Sequence, residues 1–470
     1  MKKHINKYLA LLVLLTLSAC KISENVETPK EAIPASFRNS AAEDSTSIAD
    51  LEWKQFFKDA SLLKLIDSAV AKNNDLQVAQ KNIEAAQWQL KQAKWNNVPE
   101  FNLQVNAASN RISDNSLNGL STNTFLGQHH VNDYNAALGL SWEADIWGKM
   151  RSQKKEALAK YLQSGEAKKA LQTTIVANVA KGYYNLLMMD AQLAIAKKNL
   201  TLNDSTLFVI NLQFDAGQVT SLAKQQAEAQ QSVAAQLIPQ LEQNIAIQEN
   251  ALSILAGTFP GAKERNSDLN SIGLNDDSSA GLPSSLVSRR PDVHFAELGL
   301  QAANAKVGIA KAYFYPSLKI TASGGLNSFE SSNWFNIPAS VFGTVAGGLT
   351  QPILNSKRIR TQYEVAKIER EKAVIQFRQS VLVAVGEVSD ALVQVEKLKE
   401  QQNIVANRVT TLQTAIKNAN MLFKNGMANY LEVIVAQSNL LQSELELATI
   451  KRSRLDADVS LYRALGGGWK

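Results

Sequence analysis

The chain has 470 residues, of which 45% are hydrophobic and 20% are charged, with a formal net charge of +6 and a single cysteine. Loss of an N-terminal segment that carries Lys2, Lys3 and Lys7 would leave a net charge of 6 − 3 = +3. This mild charge and the lack of clustered basic residues exclude a nucleic-acid-binding protein, and one cysteine excludes an internal disulfide bond.

The first 19 residues predict a secretory signal peptide, because three lysines precede the apolar run at residues 9–17 and small residues follow it. The run is shorter than the about 20 residues of a membrane-spanning helix. "LSAC" at residues 17–20 resembles the lipobox of bacterial lipoproteins, so we predict a diacylglyceryl group on Cys20. The alternative is a chance thiol in a signal peptide that is cut elsewhere. Lys21, in place of an aspartate, resembles lipoproteins sorted to the outer membrane.

The chain contains an internal repeat. A shift of 292 − 75 = 217 residues places seven residues of the stretch 75–99 on identical residues of 292–316. Each half is predicted to run helix, strand, loop, strand, very long helix, turn, helix. The predicted division is signal peptide 1–19, lipidated extended segment 20–60, first repeat 61–257, equatorial linker 258–290 and second repeat 291–470.

Four stretches alternate between apolar and polar residues, as strands do. "EFNLQVNA" begins at Glu100, and "YNAALGLSWEADIW" continues the alternation from Tyr134 to Ile146. "SLKITASGGL" alternates more weakly, and residues 341–353 are rich in glycine. Polar segments, predicted to be loops, separate the strands of each pair. The first contains His129 and His130, which lack accompanying acidic or cysteine ligands, so we predict a solvated loop and no metal site.

A four-stranded sheet with one apolar face cannot close on itself. Backbone groups left unpaired in hydrocarbon cost several kcal/mol each. The strands are therefore completed by other copies into a closed barrel, or their apolar face packs on protein in a soluble sandwich. The lipid anchor favours the barrel.

Two very long helices follow the strand pairs. Residues 149–214 would extend about 99 Å at 1.5 Å per residue, and heptad spacing of apolar residues in both helices predicts a coiled-coil partner. The partner is the segment after each Phe-x-x-Gly turn, folded back as an antiparallel hairpin. Its predicted seam residues include Leu222, Val233, Leu241 and Leu252 after the first turn and Leu431, Leu455, Val459 and Tyr462 after the second. Gly217 and Gly426 are expected at helix C-termini in the left-handed conformation. Pro239 predicts a bend or break in the first return helix.

The sequence resembles the TolC and OprM family of outer-membrane efflux factors, in particular the lipidated OprM type. The resemblance covers nearly all of the mature chain and includes "WEADIWGKMR" at 142–151, "GLPSSLVSRRPDV" at 281–293 and "ANAKVGIAKAYFYPSL" at 303–318. It implies a mainly α-helical chain with a membrane β-barrel portion, assembled as a homotrimer. Twelve strands would form one barrel in the outer membrane, continued into the periplasm by an α-helical coiled-coil barrel.

The resemblance also assigns roles to particular residues. Asn102, Gln104, Glu143 and Asp145 would line the barrel lumen, whereas Phe101, Leu103, Leu138 and Trp142 would face lipid. A periplasmic adaptor (membrane fusion) protein and an inner-membrane RND-type pump would dock at the hairpin tips, at Phe214, Gly217, Val219, Thr220, Phe423, Gly426, Asn429 and Tyr430. The aspartates that narrow the tunnel mouth in many family members are missing, and Asp215 and Glu432 are the nearby acids that could replace them.

The expected function is that of a passive exit duct for drugs or other small toxic compounds in a tripartite efflux system. The alternatives are a duct for type I protein secretion, a duct for metal-ion efflux, and an envelope scaffold without a pore. We expect no enzyme activity and no cofactor, because no catalytic constellation, P-loop or metal-ligand spacing occurs.

Overall fold

A computed structural model describes residue 37, residues 47–273 and residues 283–470 of the chain. The predicted signal peptide, Cys20 and part of the predicted linker lie outside the described residues. The helices are α1 (Trp53–Phe56), α2 (Ala60–Lys72), α3 (Asn74–Trp95), α4 (Leu117–Leu126), α5 (Lys149–Asp215), α6 (Ser221–Leu255), α7 (Leu286–Arg289), α8 (Pro291–Ala312), α9 (Arg358–Lys424) and α10 (Tyr430–Ala464). The strands are β1 (Glu100–Arg111), β2 (His130–Glu143), β3 (Ser317–Ser328) and β4 (Val341–Thr350).

The mainly α-helical fold with a four-stranded portion confirms the predicted fold class. The described chain forms two compact units. The first unit comprises Glu84–Leu162 and Glu297–Ile375 and contains the sheet; the second comprises the described parts of Lys30–Ile83, Gln163–Ala296 and Gln376–Lys470 and contains the helical hairpins. The exact domain boundaries remain a prediction. Among residues 47–273 and 283–470, no helix combines the length and the apolar character needed to cross a bilayer.

The predicted extent of the second strand was wrong. Strand β2 ends at Glu143 and does not continue to Ile146. The carboxylate of Asp145 instead accepts hydrogen bonds from the backbone N–H groups of Met150 (2.9 Å) and Arg151 (3.0 Å) at the start of α5. Such N–H groups have no partner within the helix, and an acid satisfies both their hydrogen bonds and the positive end of the helix dipole. Asp145 is therefore a helix cap and not a strand residue.

The segment between β1 and β2 was also predicted incorrectly, because it contains the ten-residue helix α4. The hydroxyl of Ser116 accepts from the N–H of Gly119 at 3.0 Å, and Gly127 ends the helix with φ 61°. Serine before a helix and glycine after it are the usual capping residues. The sequence therefore carried a signal for this helix in its flanking residues.

Both hairpin turns end their first helix with the same hydrogen-bond pattern. At Gly217 (φ 69°), Gln218 donates to Gln213 at 2.8 Å and Gly217 donates to Phe214 at 2.9 Å, all through backbone groups. At Gly426 (φ 69°) the equivalent bonds measure 2.9 and 3.1 Å. These paired bonds form a Schellman motif, which requires a left-handed residue and therefore favours glycine.

The predicted seams of the two return helices are confirmed far from the turns, where Leu241, Leu252, Leu455, Val459 and Tyr462 are buried, and are wrong near the turns. On α10, Val433, Gln437 and Leu440 are buried, whereas the predicted seam residue Leu431 is 50% exposed. On α6 the buried residues include Ala223, Ala227, Ala234, Leu241, Ile245 and Leu252, whereas the predicted Leu222 and Val233 are exposed. Near the turn, the buried face of α10 differs from the predicted one because α10 also packs on the other hairpin. The Gln437 side chain donates to Thr206 Oγ1 on α5 at 2.8 Å. Each return helix packs against more than its own hairpin partner.

Helix α6 continues through Pro239, so a break does not occur, and the bend at Pro239 remains a prediction. Proline removes one backbone hydrogen bond, and here the carbonyl of Ala235 would have accepted it. Neighbouring turns supply the remaining backbone hydrogen bonds and the apolar contacts that keep the segment helical.

The core of the second unit is formed where α1 and α2 pack with the middle of α5, the middle of α9 and the end of α10. The rings of Phe56 and Tyr462 stack with centroids 4.1 Å apart, and Phe57 meets both rings edge-on. The Tyr462 hydroxyl donates to the carbonyl of Leu51 at 2.7 Å. Burial of these rings, about 150–250 Å² each, makes the aromatic cluster a major source of stability.

Arg290, in the motif "RRPD", is a buried cation with a complete set of partners. It is 4% exposed, and its guanidinium donates to both carboxylate oxygens of Asp292 (3.0 and 2.6 Å) and to the carbonyl of Ala464 (2.9 Å). Glu387 on α9 lies 2.8 Å from it. Burial opposes ionisation of Asp292, but hydrogen bonds from Arg290 lower the pKa of this carboxyl. The motif therefore joins the start of α8 to α9 and α10.

Gly217 and Gly257, which both have left-handed backbone conformations, predict different costs of substitution. A side chain at Gly217 would meet open space, so Gly217→Ala should cost about 1–2 kcal/mol, from the left-handed backbone alone. A Cβ at Gly257 (φ 66°) would lie 2.3 Å from the carbonyl oxygen of Lys72. Gly257→Ala should therefore lower the thermal midpoint, measured by circular dichroism, more than Gly217→Ala. Equal shifts would contradict this account.

Asp456 predicts a pH-dependent stability. Burial raises its pKa to about 6 from 3.8, against the opposing charges of Arg452 and Lys181. Since the folded pKa exceeds the unfolded pKa, this carboxyl contributes most below the unfolded value and loses that contribution as the pH rises through about 6. The stability difference between Asp456→Asn and the unaltered protein should therefore shift towards the variant as the pH rises from about 4 to about 7. Chemical unfolding at both pH values measures this, and a constant difference would argue against it.

Candidate functional site

The strand register places apolar residues of all four strands on one face of the sheet. The strands follow the antiparallel order β1-β2-β3-β4. Leu103 pairs with Leu138, Leu138 with Gly324, and Gly324 with Gly343. Counting in steps of two from these positions gives the apolar face: Phe101, Leu103, Val105, Ala136, Leu138, Leu140, Trp142, Leu318, Ile320, Ala322, Leu326, Val341, Val345 and Leu349. The predicted lipid-facing residues Phe101, Leu103, Leu138 and Trp142 are all in this set.

No other segment among the described residues covers the apolar face at its most exposed positions. Leu103 is 74% exposed and Val345 is 82% exposed. An exposed apolar surface of this extent marks an interface with protein or lipid. Trp142 lies at the end of the face, and its indole N–H donates to the carbonyl of Asn97 at 3.0 Å. A tryptophan with an apolar body and a satisfied N–H is typical of a membrane–water boundary.

The opposite face is polar or small at nearly every position. Asn102 pairs with Gly139, Gln104 with Ala137, and Glu143 with Lys319. The same face continues through Asn106, Asn135, Ser141, Thr321, Ser323, Asn327, Thr344, Ala346, Gly348 and Thr350. The predicted lumen residues Asn102, Gln104 and Glu143 share this face, whereas Asp145 lies beyond the strand. Their role in lining a lumen remains a prediction.

The sheet has two open edges. Within the described part of the chain, β1 pairs only with β2 and β4 pairs only with β3. The outer edges of β1 and β4 therefore present unpaired backbone donors and acceptors. Edge strands of this length are normally covered or paired in stable proteins.

The two predicted docking turns lie together in the second unit. Ile210, Ala223, Ala227, Phe423 and Val433 form one buried apolar cluster, against which Val219 and Tyr430 pack. The Tyr430 hydroxyl donates to the side-chain oxygen of Gln226 at 2.7 Å, which links the two hairpins directly. The two turns thus form one composite tip surface.

The matched positions of the two turns are not equivalent. Phe423 is 7% exposed, whereas Phe214 is 36% exposed. The Asn429 side chain caps α10 by accepting from the N–H of Glu432 at 3.2 Å, but the side chain of Thr220 makes no capping hydrogen bond to α6. Asp215 and Glu432 are exposed, and their role at a tunnel mouth remains a prediction.

The sequence reasoning missed three apolar side chains at the tip. Leu222, Met427 and Leu431 are 57%, 69% and 50% exposed. Leu222 and Leu431 had been predicted as seam residues. Exposed apolar groups beside the composite tip surface are suited to contact with another protein.

The histidine pair lies where the segment between α4 and β2 ends. His129 Nδ1 lies 2.9 Å from a carboxylate oxygen of Asp114, and His130 begins β2 opposite Arg111. Across residue 37 and residues 47–273 and 283–470, no group of three or more His, Cys, Asp and Glu side chains is arranged to hold a metal ion.

Comparison with known proteins gives a consistent result. A family model described as "Outer membrane efflux protein" matches residues 65–258 and 282–467. The chain is 29% identical to the cation efflux system protein CusC of Escherichia coli over 99% of both chains, and 30% identical to the solvent efflux pump outer membrane protein SrpC of Pseudomonas putida over 98% of both. The open state of the Neisseria gonorrhoeae MtrE outer membrane channel superimposes with a TM-score of 0.85 at 26% identity, covering 96% of this chain and 99% of MtrE.

Arginine substitutions on the two faces of β1 provide a matched test of which face meets lipid. If the apolar face meets lipid, Leu103→Arg should destabilise the membrane-inserted protein by about 2–4 kcal/mol per chain at the bilayer midplane. Asn102→Arg, one residue away on the polar face, should have a much smaller effect. Urea-dependent unfolding from lipid vesicles measures both. A larger effect from Asn102→Arg would mean that the faces are reversed.

Proposed function

Because the chain belongs to the outer membrane efflux protein family and is an outer-membrane efflux channel, we propose that it is the exit duct of a tripartite efflux system. The duct is passive: it conducts small toxic compounds through the outer membrane, and an inner-membrane pump supplies the energy. The observation that carries this proposal is the single apolar face of a sheet whose two edges are open.

Closure of the sheet requires other copies of the chain. Three copies contribute 3 × 4 = 12 strands, an even number that closes as an antiparallel barrel with β1 of one copy paired to β4 of the next. In such a homotrimer the apolar face meets lipid and the polar face, including Asn102, Gln104 and Glu143, surrounds water. The pairing removes the open edges, which hydrocarbon does not tolerate.

The composite tip surface is the proposed docking site for a periplasmic adaptor (membrane fusion) protein and an inner-membrane RND-type pump. Its exposed apolar side chains, Leu222, Met427 and Leu431, surround turns whose backbone is held by Schellman motifs. A rigid turn with an apolar rim loses little conformational entropy on binding. Asp215 and Glu432 lie at this end and are candidates for acids that narrow the opening.

The names of two relatives suggest which class of compound this chain transports. SrpC belongs to a solvent efflux pump and CusC to a cation efflux system. Small organic compounds are the first choice for this chain, and metal ions are the second. A duct for type I protein secretion would use the same architecture.

A lipid anchor at Cys20 completes the proposal. The anchor would hold the chain at the outer membrane from its periplasmic side, after removal of residues 1–19. It acts together with the barrel, since each acyl CH₂ group that enters the bilayer contributes about 0.8 kcal/mol to membrane binding. The division into two repeats, 61–257 and 291–470, joined by a linker at 258–290, belongs to the same proposal.

Two measurements test the proposed function: the conductance of the purified protein and the survival of a strain that lacks the gene. The purified protein should run as a trimer and give stable currents in planar bilayers, because a closed barrel with a polar lumen conducts ions. A strain lacking the gene should become more sensitive to dyes, detergents or solvents, and the Leu103→Arg variant should not restore growth.

The other outcomes are informative. Absence of current from purified trimers would refute the duct. Unchanged tolerance of organic compounds with increased sensitivity to metal ions would favour metal-ion efflux, and loss of one secreted protein would favour type I secretion.

A further inference from the structure

A cavity of about 700 Å³ lies in the first unit, where the strands meet their helices. It is bounded by the end of β2, the start of β3 and the end of β4, together with the first turns of α5 and α9 and the last turns of α8. Its volume falls within the range of about 300–1,000 Å³ that is usual for small-molecule sites. No part of the proposed function assigns a role to this cavity.

The cavity carries an excess of positive charge. Lys306, Lys319 and Arg358 line it, and within the described residues none of them has a carboxylate partner. The two acids in the lining are already engaged. Glu143 accepts from Lys149 at 2.7 Å, and Asp145 caps α5. Three cations therefore remain available to an incoming anion.

The same cavity has a firm aromatic and aliphatic wall. The rings of Trp147 and Tyr315 stack with centroids 4.8 Å apart, and the Trp147 indole donates to the carbonyl of Pro316 at 2.7 Å. Tyr313, Ile309 and Val365 extend the wall. Because the indole is held by both stacking and a hydrogen bond, an apolar ligand body would meet a preformed surface.

The cavity lies on the polar face of the sheet. Ser317, Lys319 and Thr350 line it, and the strand register places all three on the polar face, opposite the apolar face. In the proposed barrel the polar face surrounds water, so an occupant arrives from the lumen. Membrane lipid would contact the other face of the sheet.

We propose that this cavity binds organic anions with an aromatic or apolar body as they pass through the duct. The cations bind the anionic group while the aromatic wall contacts the body. Three copies would place 3 × 3 = 9 uncompensated cations around one level of the lumen, and basic rings favour anions over cations. The inference rests on the proposed function, and it favours organic anions over metal cations as cargo.

Block of the current by a small probe tests this inference. Naphthalene-2-sulfonate should block wild-type channels in planar bilayers at lower concentration than the uncharged 2-naphthol, because only the sulfonate engages the cations. In the variant Lys306→Gln/Lys319→Gln/Arg358→Gln, the half-blocking concentration of the sulfonate should rise by about tenfold, as expected for loss of charge-assisted contacts. The reversal potential in a KCl gradient should shift towards cation preference.

A matched variant controls for overall charge. Lys154→Gln/Lys155→Gln/Arg360→Gln removes the same number of cations from exposed positions of the first unit that do not line the cavity. It should leave the half-blocking concentration within about twofold of wild type, since exposed charges that do not contact the occupant are largely screened by salt. Equal effects of the two triple variants, or equal block by the sulfonate and 2-naphthol, would overturn the inference.

Two further results separate the possible failures. If wild-type protein gives no current, the duct itself fails; if it conducts but the sulfonate does not block, only the cavity inference fails. If the cavity triple variant does not conduct, the single variants Lys306→Gln and Lys319→Gln should each still raise the half-blocking concentration, and no change in either would overturn the inference.

Discussion

The unpaired backbone at the two edges of the sheet is the constraint on which the rest of the protein depends. One chain supplies four strands with a continuous apolar face, but β1 and β4 each have one open side in the described chain. Hydrocarbon tolerates the apolar face and does not tolerate the open edges. Assembly with further copies satisfies both conditions at once. Membrane insertion therefore requires oligomerisation, because only other copies of the chain can pair the open strand edges.

In the helical part, the size of a side chain is related to whether it is buried or exposed. In the part of α6 nearest the turn, Leu222 and Val233 are exposed, while Ala223, Ala227 and Ala234 are buried. Small interior residues bring helices of one chain close together. The large exposed residues remain available to neighbouring copies or to a docking partner. The same division explains why the composite tip surface has a buried centre and an apolar rim.

The buried cation of the second unit, Arg290, holds helices together, whereas the cations around the cavity of the first unit do not. Arg290 has partners on α8, α9 and α10, and removing Asp292 or Glu387 would leave this buried cation with one carboxylate instead of two. Lys306, Lys319 and Arg358 have no such partners among the described residues. A cation that structure does not need is available for a ligand, and this contrast is the physical basis for assigning a binding role to the cavity.

The sequence by itself determined the architecture: the repeat, the alternating strands, the long helices and the glycines of their turns. These features depend on local periodicity and on backbone conformations that few residues adopt. Tertiary structure alone decided which face of each return helix is buried, where β2 ends, and that Asp145 caps α5 instead of standing in the sheet. It also brought Lys319, Trp147 and Arg358 around one cavity. Such choices depend on contacts between residues far apart in the chain, and local periodicity carries no information about those partners.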